Sequence, residues 1–164
     1  MGEFEMGGIE GDFFIEKNPE LIEKLELLGA GVKEGEVLKL PLIEAAYFGE
    51  KGAIDTGMNT EQLLEKCGDL AKEKFAVLKH LRNSGYIVRI GTGNSEFMRV
   101  YKRGIRVGED RTESVIKVLK EGEKPGLEKD LENAGKMRKE LIYAFVELKD
   151  KPINFVKAYR IRFD

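Results

Sequence analysis

The residues best suited to chemistry lie in one short run, Arg99-Val100-Tyr101-Lys102-Arg103. On a strand, alternation sets Arg99, Tyr101 and Arg103 on one face and Val100 and Lys102 on the other. Guanidinium groups on either side of a phenol favour its phenolate and lower its pKa from about 10, the direction a general base needs. The same cations would hold a phosphate. Taken alone, however, the run reads first as a solvated edge strand. Glu147-Leu148-Lys149 has the E-x-K spacing of metal-dependent nucleases, but that chemistry needs a further carboxylate to hold Mg²⁺, and three-residue matches are common. Gly91-Thr92-Gly93 lacks the third glycine and following helix of a dinucleotide fingerprint, and the lysine of a P-loop, so it reads as a hairpin turn. Cys67 and His80 are the only residues of their types, which excludes an intrachain disulfide and a Cys/His zinc cage. Any histidine-driven nucleophile would depend on His80, which sits among lysines in a helical run and reads as a surface residue.

The elements that would carry these residues follow from periodicity. Asp12–Leu28 reads as a short strand and a helix stopped at Gly29-Ala30-Gly31. Val37–Leu40 reads as a strand, with Pro41 in the first turn of a helix through Phe48. Asn59 and Gln62 form a capping box for a helix whose apolar face runs Leu63, Leu64, Cys67, Leu70 and Ala71, which makes Cys67 a small core residue. Phe75, Leu78 and Leu81 mark a further helix closed at Gly85. Beyond it, Tyr86–Ile90, Phe97–Tyr101 and Val115–Leu119 read as strands, Leu127–Met137 as a helix, and Leu141–Val146 with Ile153–Ile161 as a hairpin.

At 164 residues, with 41% hydrophobic and 35% charged content, the chain can bury a core and is not a disordered, fibrous or disulfide-stapled protein. It has no apolar run of membrane-spanning length and no signal-peptide pattern at its start, so a soluble cytoplasmic protein is expected. The net charge of −2 hides an asymmetry. Residues 1–72 hold 7 basic and 16 acidic side chains, whereas 73–164 hold 21 and 14. A basic half attracts polyanions, and an acidic half is better suited to protein contacts. The same charges would also serve a merely well-solvated surface.

Several segments, from about Gly31 to the C-terminus, resemble the archaeal tRNA-splicing (tRNA-intron) endonuclease family. Gly35–Tyr47 is similar to its Leu-x-Leu-x-x-x-Glu-Ala-x-Tyr signature, and Leu81–Val88 to its Leu-Arg-x-x-Gly-Tyr-x-Val turn. Arg99–Gly104 is similar to the strand bearing its catalytic tyrosine, and Met137–Val146 to the segment bearing its catalytic lysine. The resemblance implies an α+β (mixed α/β) subunit. It would have a small acidic N-terminal α/β domain, 1–72, and a basic nuclease-like domain, 73–164, with a mixed sheet flanked by helices. It also implies metal-free, cofactor-free cleavage of precursor tRNA at bulge-helix-bulge junctions, leaving 2′,3′-cyclic phosphate and 5′-hydroxyl ends. In the family the tyrosine is the general base, a histidine the acid to the leaving oxygen, and the lysine the charge that stabilises the phosphorane. By resemblance the tyrosine falls on Tyr101 and the lysine on Lys139.

The histidine has no counterpart, because Arg111 occupies its place. Arginine still pairs with phosphate, but its pKa above about 12 prevents it from acting as a general acid near neutrality. Loss of a positioned acid costs about 10²–10⁴ in rate. Glu132 stands where catalytic members place an arginine that grips the bulge, and Gly91-Thr92-Gly93 lacks the lysine of the family's Thr-Gly-x-Lys loop.

The chain therefore reads as the structural, non-catalytic subunit of a heteromeric endonuclease, with a catalytic subunit and precursor tRNA as partners and a heterotetramer as the expected assembly. Arg99, Arg103 and Arg111 are the expected RNA contacts. Asp150, Phe155 and Tyr159 are the expected assembly contacts, the two aromatics on one face of the last strand. A chain that cleaves RNA itself, with its leaving oxygen protonated from elsewhere, and a stand-alone RNA-binding module are the alternatives.

Overall fold

The computed structural model describes residues 7–91, 96–101 and 112–163, with the backbone alone at 112 and 113. The first strands, β1 (Gly8–Glu10) and β2 (Phe13–Glu16), form a hairpin. Asn18 then caps α1 (Pro19–Leu27), its side chain accepting from the Glu20 N–H, with proline in the first turn. The helix stops as expected: Gly29 takes a left-handed φ of 70°, and the Ala30 N–H reaches back to the Leu25 carbonyl. Strands β3 (Val32–Glu34) and β4 (Val37–Pro41) follow, completing an antiparallel sheet of order β1-β2-β4-β3. Helix α2 (Leu42–Glu50) has every residue from Leu42 to Phe48 buried, which fits a stretch apolar on all sides apart from Glu44. Pro41 is not in its first turn. It ends β4 and caps α2 with an extended ψ of 143°, its missing N–H costing nothing at that junction.

The Asn59–Gln62 capping box is fully formed on α3 (Thr60–Glu65), with bonds of 2.8 and 3.0 Å. The helix does not run on to Ala71. Gly68 (φ 79°) and Leu70 (φ 61°) both turn left-handed, and a new helix, α4 (Ala71–Asn83), starts after them. Cys67 is half-buried against the core, its thiol donating to the Leu63 carbonyl at 3.2 Å. Gly85 (φ 92°) closes α4.

The remaining elements are β5 (Ile87–Arg89), β6 (Met98–Tyr101), β7 (Thr112–Lys120), α5 (Leu127–Lys136), β8 (Glu140–Val146) and β9 (Asn154–Ala158). They build a sheet of order β5-β6-β7-β8-β9 in which only the β7–β8 pair is parallel, joined by the α5 crossover. The expected β8–β9 hairpin is present, although β9 ends at Ala158 rather than Ile161. Alternation divides the sheet between two helices. Ile116, Val118, Ala144 and Val146 join the core on the α4 side, while Val115, Leu119, Leu141 and Tyr143 pack with Ala134 of α5.

The fold is α+β with mixed strand directions. The larger cluster is continuous from Phe14, Leu38 and Leu40 of the first sheet, through α2, α3 and α4, to Val88, Met98 and Val146 of the second. Residue 72 lies one position inside α4, and that helix packs on both α2 and β7.

Candidate nucleic-acid interface

Tyr101 ends β6, 7% exposed, paired with Ile87 on one side and Thr112 on the other. Phe97 packs in the α5-side cluster, so the period-2 strand puts Arg99 and Tyr101 on that same face, as expected. Arg99 is exposed and lies directly opposite Arg89 of β5. Lys139 comes one residue before β8, half-buried, its backbone N–H donating to the Ala134 carbonyl at 3.0 Å. Because Ser114 pairs with Glu140, Lys139 sits level with the start of β7. Tyr101 and Lys139 thus occupy the same end of the sheet and the same face, on strands flanking β7. Two strand spacings separate their backbones by about 10 Å. Arg103 and Arg111 lie outside the described residues, as do 92–95 of the glycine loop.

His80 is exposed on α4, its ring 5.8 Å from that of Phe155. It therefore belongs to the opposite face of the sheet from Tyr101 and Lys139. Phe155 packs against the α4-side core, whereas Tyr159 follows the end of β9, 67% exposed, and borders a groove of about 590 Å³ with Leu131, Gly135 and Lys139. Asp150 is exposed in the β8–β9 turn with a left-handed φ of 52°. Glu132 is ion-paired with Lys136 at 3.3 Å, and Glu147 with Lys151 at 3.2 Å. Among the described residues, no group of three His, Cys, Asp or Glu side chains is placed to hold a metal ion.

Two polar centres were not anticipated from the sequence. In the first, Asp130 of α5, 1% exposed, accepts from Lys117 Nζ at 3.0 Å and from the Tyr143 hydroxyl at 2.7 Å. Burial and the neighbouring carboxylate raise the Tyr143 pKa well beyond that of a free phenol. The carboxylates of Asp130 and Glu96 raise that of Lys117 against its desolvation. The signal was faint: Asp130 falls on the apolar stripe of α5 at i, i+4 spacing from Ala134, and Lys117 interrupts a run of β-branched residues.

The second centre joins the two family-like signatures. Glu44, 1% exposed within the apolar run of α2, accepts from the Gly31 N–H at 3.1 Å. It faces Arg82 of α4 at 3.8 Å. Arg82 also donates to the carbonyls of Leu28, Gly29 (3.2 Å) and Val88 (3.1 Å), with its guanidinium 5.1 Å above the Phe48 ring. Arg89 donates to the Gly31 carbonyl, and the Tyr47 hydroxyl donates to Asn83 at 3.0 Å. Desolvation raises the pKa of Glu44, opposed by the Gly31 N–H and by Arg82 and Arg89. A lone glutamate among Leu42, Ile43, Ala45 and Ala46 was the available clue, since such a residue is buried only with a partner.

Comparison with known proteins places these features in context. Residues 71–155, from the first residue of α4 into β9, match the family model described as tRNA intron endonuclease, catalytic C-terminal domain. The chain is 31% identical over 147 residues to the tRNA-splicing endonuclease of Pyrococcus abyssi, covering 82% of this chain and 83% of that protein. It is 30% identical over 143 residues to that of Thermococcus kodakarensis, covering 80% and 82%. With the tRNA-splicing endonuclease of Methanothermobacter thermautotrophicus it shares 33% identity over 92 residues, 52% of this chain and 54% of the relative.

Proposed function

Because the chain belongs to the tRNA-splicing endonuclease family, we propose that it is the structural subunit of a heteromeric enzyme that removes introns from precursor tRNA in the cytoplasm. A catalytic partner supplies the complete tyrosine-histidine-lysine set. The observation that carries this reading is the placement of the only imidazole in the chain. His80 lies across the sheet from Tyr101 and Lys139, so the end of the sheet that holds a phenol and an ammonium has no histidine to donate a proton.

In this reading 73–164 is the RNA-facing domain and 1–72 the protein-facing one. Arg99, Arg103 and Arg111 hold phosphates, and Arg111 cannot release a proton to the leaving 5′-oxygen. Asp150, Phe155 and Tyr159 serve assembly into a heterotetramer. Cleavage by the partner proceeds without metal or cofactor and leaves 2′,3′-cyclic phosphate and 5′-hydroxyl ends.

The test is cleavage of a bulge-helix-bulge RNA in EDTA by the purified chain, by a catalytic family member, and by the two together. The reading expects the chain alone to fall at least about 10²-fold below the mixture. Equal rates for the chain alone and the mixture would refute it and establish the chain as an enzyme in its own right. The shared position of Tyr101 and Lys139 favours that second reading. Light scattering of the mixture reports whether a hetero-oligomer forms.

A further inference from the structure

The buried Asp130 centre lies away from the end of the sheet that bears Tyr101 and Lys139: Lys117 is five residues along β7 from Thr112, about 16 Å at strand rise. It does not touch that site, yet it is connected to both sides of it. Lys117 and Tyr143 are register partners in the parallel β7–β8 pair, both pointing toward α5. Their polar ends meet the two oxygens of one carboxylate, which straddles the pair. Lys117 is also held by Glu96 at 3.2 Å, two residues before β6, the strand that ends in Tyr101.

This contact is a buried polar tie between α5 and the sheet. Its cap, Gly126, offers no side chain to the first turn, and Asp130 and Ala134 are its only buried residues. One turn beyond Asp130, the Ala134 carbonyl accepts the N–H groups of both Met137 (3.1 Å) and Lys139 (3.0 Å), with Arg138 between them at a left-handed φ of 57°. Lys139 is therefore fixed to the last turn of α5, and it moves when the helix moves.

We propose that Asp130 is a positioning residue for Lys139, and that the chain of contacts Glu96–Lys117–Asp130–Tyr143 sets the spacing between the tyrosine strand and the lysine. Its relevance to RNA rests on the functional reading above, but the mechanical coupling does not. A single carboxylate spanning two neighbouring strands fixes the helix both along and across the sheet. The apolar contacts of Leu131, Ala134 and Met137 are non-directional and would permit the helix to slide.

The test uses the full-length chain and amide hydrogen exchange read by NMR, together with the Lys139 side-chain resonances. Asp130→Asn should raise exchange at the Lys139 amide by about tenfold or more and shift its side-chain signals, with protection in α2 and β4 unchanged. Adding Lys117→Met should restore part of that protection, because the neutral amide can then accept from Tyr143 without facing an ammonium. If Asp130→Asn does not fold, Tyr143→Phe carries the same expectation at about threefold. Wild-type protection at Lys139 in a folded variant would overturn the proposal, as would an increase shared equally by every amide. Cleavage of a bulge-helix-bulge RNA by the chain alone at the rate of its mixture with a catalytic family member would overturn the functional reading and leave the coupling result intact.

Discussion

Arg82 and Glu44 should respond very unequally to substitution. Replacing Arg82 by methionine removes the donors to the Leu28, Gly29 and Val88 carbonyls and leaves Glu44, 1% exposed, with Arg89 as its remaining neighbouring cation. Removing one member of a buried pair costs about 3–5 kcal/mol, a large share of the roughly 5–15 kcal/mol that holds a domain folded. Glu44→Gln is milder. The amide oxygen still accepts from the Gly31 N–H, and Arg82 keeps its three carbonyls. The raised pKa of Glu44 also means that its surroundings already penalise the charge, so neutralising it relieves part of that penalty. About 1–2 kcal/mol is expected. The double variant should cost less than the two losses added, by about 1 kcal/mol or more, because the second change removes the charge the first leaves stranded. Urea unfolding of the four proteins at pH 7 measures all three values. Equal losses in the single variants would refute the argument that the carbonyl ligands of Arg82 carry most of the effect, and additivity within about 0.5 kcal/mol would refute the argument that its loss strands a charge.

Three other predictions concern pH and backbone. Both Tyr143 and Lys117 have raised pKa values, so the folded protein keeps protons that the unfolded chain releases. Their contribution is complete below about pH 10 and is lost as pH rises above it, and Tyr143→Phe should flatten that alkaline decline in a thermal melt. Asn59→Ala abolishes the side-chain acceptor of the capping box and should lower stability by about 1 kcal/mol in urea. Gly31→Ala should cost more, about 2 kcal/mol or beyond. Its φ of 64° disfavours any side chain, and the new Cβ would lie 2.6 Å from the Lys39 carbonyl oxygen, moving both groups that Glu44 and Arg89 bind. A loss below about 0.5 kcal/mol would show that this loop relaxes freely.

The order of helices and strands was largely legible because each rests on local physics: the Asn59 box, the glycine stops after α1 and α4, and the period-2 run before Tyr101. What escaped was set by geometry between distant segments. The left-handed turns at Gly68 and Leu70 separate α3 from α4, although the apolar spacing from Leu63 to Ala71 looks like one helix. The alternation from Ile153 looks like one strand to Ile161, yet β9 ends at Ala158. Asp130, Lys117 and Tyr143 come from a helix and two strands, and no local pattern pairs an aspartate with a phenol thirteen residues away. The candidate site itself stood out through Tyr101 and Lys139, whereas the contacts that hold those residues in place did not.

The Glu44–Arg82 contact also bears on how relatives of this chain should be interpreted. Two of the four stretches that carry the family likeness meet one another inside the molecule, and Arg82 of the second grips backbone carbonyls. They brace the body. Agreement with both stretches therefore reports a shared frame, and a survey relying on them alone would learn nothing of whether a chain can cut.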